Sequence, residues 1–242
     1  MLFRSMSEGL ISIVLPVHNQ ADHLGEIVTE YEAALAKLPQ PHELILVVNN
    51  CRDKSWELCQ RLSARYANIR AIHSEKGGWG LAVKLGLREA RGEMLCYTNS
   101  ARTTGPDLTL LLLYAVVWPK VVIKANRKIR ESFCRRLGSL LYNLECRALF
   151  DLSVWDINGT PKVFPRSFTK LLDLTRDDDL VDAEFLVRCR SADYAVLEVP
   201  IFSTRRHGGK STTGLRSAAK MYLGAWRLRR GLEAAGREAA SS

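Results

Sequence analysis

Clusters of polar residues, each placed directly after a short apolar run, carry the groups in this sequence that could do chemistry. His18 and Asn19 follow Ile11-Ser12-Ile13-Val14-Leu15-Pro16-Val17, and Asn49 and Asn50 follow Glu43-Leu44-Ile45-Leu46-Val47-Val48. Thr98-Asn99-Ser100-Ala101-Arg102 follows Met94-Leu95-Cys96-Tyr97. The basic loop Thr204-Arg205-Arg206-His207-Gly208-Gly209-Lys210-Ser211-Thr212 follows the run from Ala195 to Ile201. Arginine grips phosphate through two parallel hydrogen bonds and lysine acts on it as a point charge, so Arg102, Arg206 and Lys210 suit a phosphate-bearing ligand. Adjacent glycines at 208 and 209 loosen the late loop and its like charges repel, so the stretch from Arg205 to Thr212 is expected to close over phosphate when an anion arrives. Gly209-Lys210-Ser211 does not complete a P-loop, because Thr204 stands where that motif needs its first glycine. A base for a hydroxyl nucleophile would be a carboxylate, Asp182 or Glu184. Acids at a helix start, such as Asp177-Asp178-Asp179 and Asp182, also serve simply as caps.

These clusters share one edge only if the apolar runs are strands of one parallel sheet. The runs are short and rich in Ile and Val, as strands buried on both faces are. Between the first two lies a segment with Leu24, Ile27, Val28, Tyr31, Ala34 and Leu35 on one helical face, which Asp22 is placed to cap and Pro39 and Pro41 close. This β-α-β unit repeats. A helix opened by Asp53 or Ser55 leads to a strand at Ile69 to His73, the turn Lys76-Gly77-Gly78-Trp79-Gly80, a helix ending at Gly92 and the strand from Met94 to Tyr97. Open sheets of this class bind ligands just past the carboxyl ends of their strands. Pro16, His18, Asn19, Asn49 and Asn99 are therefore expected to line one crevice. Gly78 and Gly80 would let the backbone approach a ligand, although such glycines also make plain tight turns, and the third glycine of a dinucleotide fingerprint is lacking.

Further along, a helix from Pro106 to Val117 and a strand from Val121 to Ala125 continue the alternation. From Arg127 to Arg147, basic residues including Lys128, Arg130, Arg135 and Arg136 interleave with Phe133, Leu137, Leu140, Leu141 and Leu144. The plain reading is a solvated basic face over a buried leucine face. Asp156-Ile157-Asn158-Gly159 makes a turn and Lys162-Val163-Phe164 a short strand. A last helix from Leu215 to Arg230 sets Leu215, Ala219, Tyr222 and Trp226 beside Arg216, Lys220 and Arg227, an arrangement for a membrane surface or for packing on the domain.

Composition, 47% hydrophobic and 25% charged over 242 residues, is that of a globular chain long enough to bury a core. Lysine and arginine exceed aspartate and glutamate by 35 to 26, and the resulting +9 favours a phosphate-bearing partner or an anionic surface. Nucleic acid is not expected, because no stretch alternates basic residues with exposed aromatics. The six cysteines are scattered without a C-x-x-C pair, which points to reduced, cytoplasmic thiols and away from a zinc site. The apolar run from Leu108 to Trp118 is stopped by Pro119 and Lys120, short of the roughly 20 residues that a membrane span needs. The N-terminus does not have the form of a signal peptide.

Taken in order, these residues resemble family-2 glycosyltransferases of the GT-A fold, and most closely the branch of dolichol-phosphate and bacterial polyprenyl-phosphate hexosyltransferases. Pro16-Val17-His18-Asn19-Gln20 is similar to the family's Pro-Val-Tyr-Asn-Glu, and Val47-Val48-Asn49-Asn50 stands where it has Val-Val-Asp-Asp. Gly78-Trp79-Gly80-Leu81-Ala82 is similar to Gly-Lys-Gly-x-Ala. Arg127 matches an arginine after the fifth strand, and Asp156-Ile157-Asn158-Gly159 matches an Asp-x-x-x-Gly turn, one residue shorter. Glu198-Val199-Pro200 and Arg206-x-x-Gly209-Lys210-Ser211 agree with Glu-Val-Pro and Arg-x-x-Gly-x-Ser.

The resemblance implies an α/β GT-A fold with a mostly parallel, doubly wound sheet over 10–212, a lead-in over 1–9, and a C-terminal amphipathic helix and tail over 213–242. It implies an enzyme that moves a hexose from a nucleoside-diphosphate sugar to an acceptor such as a polyprenyl phosphate, in the cytoplasm or at the inner membrane surface. Matching residue by residue assigns Pro16, Val17, His18, Asn19, Asn49, Gly78, Gly80 and Asn99 to the donor nucleotide. Arg127, Arg136, Asp156, Arg206 and Ser211 fall to the acceptor or its phosphate, and Asn99, Arg102, Glu184, Arg206 and Lys210 to the reacting groups. Two departures qualify this. The family's metal-holding Asp-x-Asp falls on Asn99-Ser100-Ala101, and the aspartate that contacts the base falls on Asn49 or Asn50. A divalent ion on a diphosphate wants carboxylate oxygens, so no cofactor is expected and no metal at Asn99-Ala101, and Arg102, Arg206 and Lys210 would stabilise the leaving diphosphate instead. A divalent ion on another carboxylate, such as Asp156 or Glu184, stays open. The same losses leave open a different class, a pseudoenzyme that keeps the fold as a nucleotide-sugar-binding module or scaffold.

Overall fold

The structure, a computed structural model, describes residues 9–128, 133–202 and 220–231. Buried strands alternate with helices as β1 (Ile11–Val17), α1 (Leu24–Leu35), β2 (His42–Asn49), α2 (Ser55–Arg65), β3 (Ile69–Ser74), α3 (Trp79–Glu89) and β4 (Met94–Tyr97). They continue as α4 (Gly105–Val117), β5 (Val122–Arg127), α5 (Phe133–Phe150), β6 (Lys162–Pro165), α6 (Val181–Ser191) and β7 (Val196–Ile201). A further helical stretch covers 220–231. The described strands form a seven-stranded sheet in the order β3-β2-β1-β4-β6-β5-β7. All neighbours run parallel except β6, which is antiparallel to both β4 and β5.

The reversal of β6 decides what meets at the sheet edge. Its first residue, Lys162, lies opposite Tyr97 at the carboxyl end of β4. Two reversals in succession return β5 and β7 to the common direction, so Arg127 and Ile201, paired in register, end at the same edge as β1, β2 and β4. Asn49 and Asn99 accordingly share one edge.

Helices cover both faces of the sheet, as the near-total burial of β1 requires. Ile27, Val28 and Tyr31 of α1 and Leu108, Leu111 and Leu112 of α4 close one face. Val83 and Leu87 of α3, Tyr142 and Cys146 of α5 and Phe185 of α6 close the other. Pro16 is tolerated inside β1 for a local reason. Val14 O accepts from Thr98 N, so Pro16 faces β4 beyond that strand's last paired residue, where its missing N–H breaks no ladder bond.

The structure corrects several local expectations. Asp22 does not cap α1, since its carboxylate pairs with His23 Nδ1 and the cap residue His23 makes no side-chain bond to the helix. α3 stops at Glu89. Gly92 instead serves the passage into β4, where a Cβ would lie 2.4 Å from Leu10 O. Arg127 closes β5 and is not part of the following helix. The leucines of α5 are reversed: Leu137, Leu140, Leu141 and Leu144 are between 45% and 50% exposed, whereas Tyr142, Cys146 and Phe150 are buried. This helix carries two apolar stripes, and the one with the larger aromatic side chains packs on the sheet. The described cysteines Cys51, Cys59, Cys96, Cys146 and Cys189 are free thiols. No described helix is long and apolar enough to cross a membrane.

Candidate active site

At the carboxyl edge, β2 holds the turn that follows β1. The Asn49 side chain, 4% exposed, donates from Nδ2 to Val17 O at 3.0 Å and accepts at Oδ1 from the Gly78 N–H at 3.2 Å. Its amide therefore joins β1, β2 and the start of α3, and it needs both a donor and an acceptor to do so. His18 Nδ1 lies 2.8 Å from Asn49 O. A carbonyl only accepts, so Nδ1 carries the proton, and Nε2 accepts from Asn19 Nδ2 at 3.2 Å. Asn19 Oδ1 in turn accepts from Arg52 N at 2.8 Å, and Asn19 N donates to Cys51 Sγ at 3.2 Å. Asn19 and Asn50 take φ values of 50° and 47°, a region that asparagine enters more readily than most residues. Of the expected donor-binding residues, His18 and Asn19 are exposed at the mouth and Pro16 and Val17 are buried in the strand. Asn49 backs the crevice with its amide fully engaged, and the exposed neighbour is Asn50.

The glycine turn packs against a distant part of the chain. Gly78 sits at φ 154°, and a Cβ there would lie 2.4 Å from Asp177 O, while one at Gly80 would lie 2.4 Å from Arg176 O and 2.8 Å from Asp178 O. Leu81 N donates to Asp177 O at 3.0 Å, and Lys84 Nζ donates to Thr175 O at 2.8 Å and pairs with Asp177 at 2.5 Å. Both glycines thus admit the chain's own 176–178 segment.

That segment leads into a buried polar centre that sequence reasoning missed. Asp182 Oδ2 accepts from Trp79 Nε1 at 3.1 Å, and Oδ1 accepts from Tyr97 OH at 2.9 Å and pairs with Lys162 Nζ. Lys162 is fully buried, with its ammonium 5.4 Å from the Tyr97 ring centre and 5.8 Å from that of Phe185. Burial pulls its pKa down to about 8, against the pull of Asp182 in the other direction. Asp182 is therefore neither cap nor base but the acceptor that ties α3, β4 and β6 to α6. Glu184, expected to be catalytic, is a clamp. Its carboxylate accepts from Thr175 N at 2.9 and 3.0 Å, Thr175 Oγ1 at 2.9 Å, Arg176 N at 2.8 Å and Arg188 Nη2 at 2.8 Å. Burial would raise its pKa, but these donors outweigh burial and hold it below the usual carboxylate range. With both oxygens engaged, it is not placed to take a substrate proton.

After β4 the chain closes on itself. Asn99 Oδ1 accepts from Ala101 N at 2.9 Å, Asn99 O accepts from Arg102 N and Thr103 N at 3.3 and 3.1 Å, and Ser100 Oγ donates to Gln20 Oε1 at 2.6 Å. Half-buried Arg102 sits on this turn. The turn does not fit a divalent ion on a diphosphate: the Asn99 carbonyl oxygen is already an acceptor within the turn, and Ala101, 5% exposed, has no donor atom. Among the described residues, no group of three or more His, Cys, Asp or Glu is arranged to hold a metal.

Across the sheet, Arg127 and Asp156 are brought together, with each other as partners. The guanidinium forks onto the carboxylate at 2.7 and 2.8 Å, and Arg127 N adds a third bond at 3.0 Å. Behind them, fully buried Lys124 donates to Glu198 Oε1 at 2.7 Å, Asp156 O at 2.5 Å and Ala125 O at 3.0 Å. Glu198 also accepts from Asp156 N at 3.0 Å and Trp155 N at 2.8 Å. Burial lowers the pKa of Lys124, whereas at Glu198 burial is outweighed by Lys124 and the two amides, so the carboxyl stays below its usual range. Gly159 completes the turn, since a Cβ there would lie 2.0 Å from Ala125 O. Arg136 is exposed on the first turn of α5. Arg206, Lys210 and Ser211 lie outside the described residues; β7 itself ends with Ile201 paired to Arg127.

The sequence matches the family described as Glycosyl transferase family 2 over residues 12–169, from β1 through β6. The chain belongs to that family. It is 27% identical over 171 residues to the undecaprenyl-phosphate 4-deoxy-4-formamido-L-arabinose transferase of Pseudomonas paraeruginosa, covering 69% of this chain and 50% of that one. With the protein of the same description from Pseudomonas fluorescens strain SBW25 it shares 24% over 225 residues, covering 88% and 62%. The chain thus spans about half the length of the first of these relatives. Among solved structures, glucosyl-3-phosphoglycerate synthase from Mycobacterium tuberculosis in complex with phosphoglyceric acid superimposes with a TM-score of 0.70 at 16% identity, covering 92% of this chain and 80% of that one. The same enzyme with Mn2+, UDP-glucose and phosphoglyceric acid gives 0.71 at 15%, again covering 92% and 80%. At these identities the likeness establishes the GT-A fold, and the family match places the chain in Glycosyl transferase family 2.

Proposed function

We propose that this transferase moves a hexose from a nucleoside-diphosphate sugar to a polyprenyl phosphate at the cytoplasmic face of an anionic membrane, without a divalent ion at the Asn99-Ala101 turn. The observation that carries the reading is the shared edge. The turns after β1, β2 and β4, with Arg102 on the last of them, lie at the same edge as Arg127 and the end of β7 at Ile201. The names of the relatives support undecaprenyl phosphate as acceptor, and the UDP-glucose complex of a fold neighbour supports the donor class.

A lipid phosphate arrives as an anion and attacks without a strong base, which suits a site whose nearby carboxylates Asp182 and Glu184 are engaged elsewhere. What the reaction requires is positive charge where the diphosphate departs. Arg102, Arg206 and Lys210 are the cations assigned to it, and they are worth most where water is excluded. Exposed His18 and Asn19 would meet the nucleotide at the mouth.

The test is turnover of a panel of sugar nucleotides with a short-chain polyprenyl phosphate, with and without EDTA. Turnover that EDTA leaves unchanged is the expected result. A gain in nucleotide affinity of tenfold or more with Mn2+, about 1.4 kcal/mol, would reject the metal-free part. Intact nucleotide binding without turnover anywhere would replace the enzyme by a binding module. Within the loop, Arg206→Ala should lower turnover more than it weakens binding, and more than Arg205→Ala does, because charge on the leaving group is largest in the transition state.

A further inference from the structure

α5 and the 220–231 helix lie side by side. The rings of Tyr142 and Tyr222 meet edge to face at 5.8 Å, Tyr222 OH donates to Gly138 O at 2.7 Å, and Arg229 Nη1 donates to Leu149 O at 2.8 Å. Gly224 faces Leu180 at the start of α6, where a Cβ would lie 2.3 Å from the leucine Cδ1. The pair leaves an apolar plate outside: Leu137, Leu140, Leu141 and Leu144 of α5, with Leu223 at 60% and Trp226 at 55% exposure. The four leucines fall within an arc of about 100° on the helix, and Tyr142, Cys146 and Phe150 lie outside that arc.

We infer that this plate is the surface by which the protein lies on an anionic lipid bilayer. Charge decides the occupant. The described parts of the two helices carry Arg136, Arg147, Lys220, Arg227, Arg229 and Arg230 against one acid, Glu145, and burial pushes the pKa of that carboxyl up. A basic helix pair with an exposed leucine and tryptophan face sinks its apolar side into the headgroup boundary while its cations meet lipid phosphates. α4 provides the contrast. Its Leu110, Leu113, Tyr114 and Val117 are also exposed, yet that helix contains no cation.

The plate is also joined to the candidate site. Asn143 Oδ1 accepts from Ile157 N at 3.2 Å, and the Arg147 guanidinium stacks on Trp155 at 3.8 Å, so α5 holds the turn that contains Asp156. A membrane under the plate therefore meets the protein beside the Arg127–Asp156 edge, where a lipid-borne acceptor would enter. The purpose of the surface rests on the lipid-phosphate reading, but its existence is tested apart from it.

The experiment is cosedimentation of the full chain with vesicles of phosphatidylcholine alone or with phosphatidylglycerol, with no polyprenyl lipid in either. Binding should require phosphatidylglycerol and weaken with salt. The pair Leu140→Glu/Leu144→Glu should lose binding at least tenfold with an unchanged thermal midpoint, Arg227→Glu/Arg230→Glu should lose the preference for phosphatidylglycerol, and Leu113→Glu on α4 should bind as wild type does. Equal binding of wild type and the leucine pair overturns the inference, as does equal binding to both vesicles. A wild-type dimer that the leucine pair converts to monomer, without vesicle binding, overturns it in favour of a second copy on the plate. Turnover of a water-soluble acceptor is read in parallel, and its absence would remove the proposed reaction while leaving the vesicle result intact.

Discussion

Asp182→Ala is the substitution from which the buried centre predicts most. It strands the Lys162 ammonium, the Tyr97 hydroxyl and the Trp79 N–H in one step. Removing one member of a buried pair costs about 3–5 kcal/mol, and an orphaned hydroxyl adds about 1–3 kcal/mol. The lysine part has a ceiling. Lys162 escapes an unpaired charge by releasing its proton, and from its ordinary 10.5 that costs about 5 kcal/mol at pH 7. The variant therefore loses a large share of a typical stability of about 5–15 kcal/mol.

The ceiling also sets a pH signature. In wild type, Lys162 keeps its proton up to about pH 8, and only above that does the folded chain bind fewer protons than the unfolded one, so that stability rises with pH. In the variant the lysine is already neutral when folded, so stability rises throughout. The gap between the two should narrow by about 1.4 kcal/mol per pH unit from pH 6 to 8 and stay constant above. Urea unfolding followed by circular dichroism at several pH values measures it. A gap below about 2 kcal/mol at pH 6, against the total of about 4–8 kcal/mol that the two losses together imply, or a gap that does not change with pH, would refute the reasoning. Lys162→Met added to Asp182→Asn should recover much of the loss, since it removes the buried charges together.

Gly80→Ala should destabilise by about 1–3 kcal/mol, because its Cβ would lie 2.4 Å from a carbonyl of the 176–178 segment; an unchanged thermal midpoint would show that the segment yields. Arg127→Ala leaves Asp156, 2% exposed, without its guanidinium fork and should cost about 3–5 kcal/mol, with Arg127→Lys costing less; equal losses in chemical denaturation would argue against the fork. Glu184 and Glu198 both have folded pKa values below the ordinary 4.5, so their stabilisation is complete above about pH 4.5 and is lost as pH falls through the folded values. Glu198→Gln should flatten that acid limb in a pH series of unfolding midpoints, and an unaltered limb would assign acid lability to other groups.

The strands and their shared edge were legible because buried parallel strands announce themselves as unbroken runs of Ile, Leu and Val, as in Leu44 to Val48. The direction of β6 was not, since a run as short as Lys162-Val163-Phe164 says nothing of its polarity, which the 151–161 connection sets. The leucines of α5 have helical spacing whichever stripe faces inward, and only packing against the sheet chooses Tyr142 and Phe150. Lys162 and Asp182 were separately visible as a lysine opening an apolar run and an acid near a helix start. What joins them is the placement of α6 beneath β4 and β6, which no local pattern encodes. Gly78 and Gly80 were recognised as requiring close approach, but their neighbour is the distant 176–178 segment.

Asn49 carries a consequence for which side chain can stand at the head of the crevice. Its amide donates to Val17 and accepts from Gly78. Asn49→Asp would set a carboxylate oxygen against the Val17 carbonyl in a site only 4% exposed, at a cost of about 1–3 kcal/mol. An acid at this position is thus opposed by folding before any question of activity arises. With β1, β2 and the α3 turn joined through one amide, a carboxylate is accommodated only if Val17 or the turn at Gly78 moves.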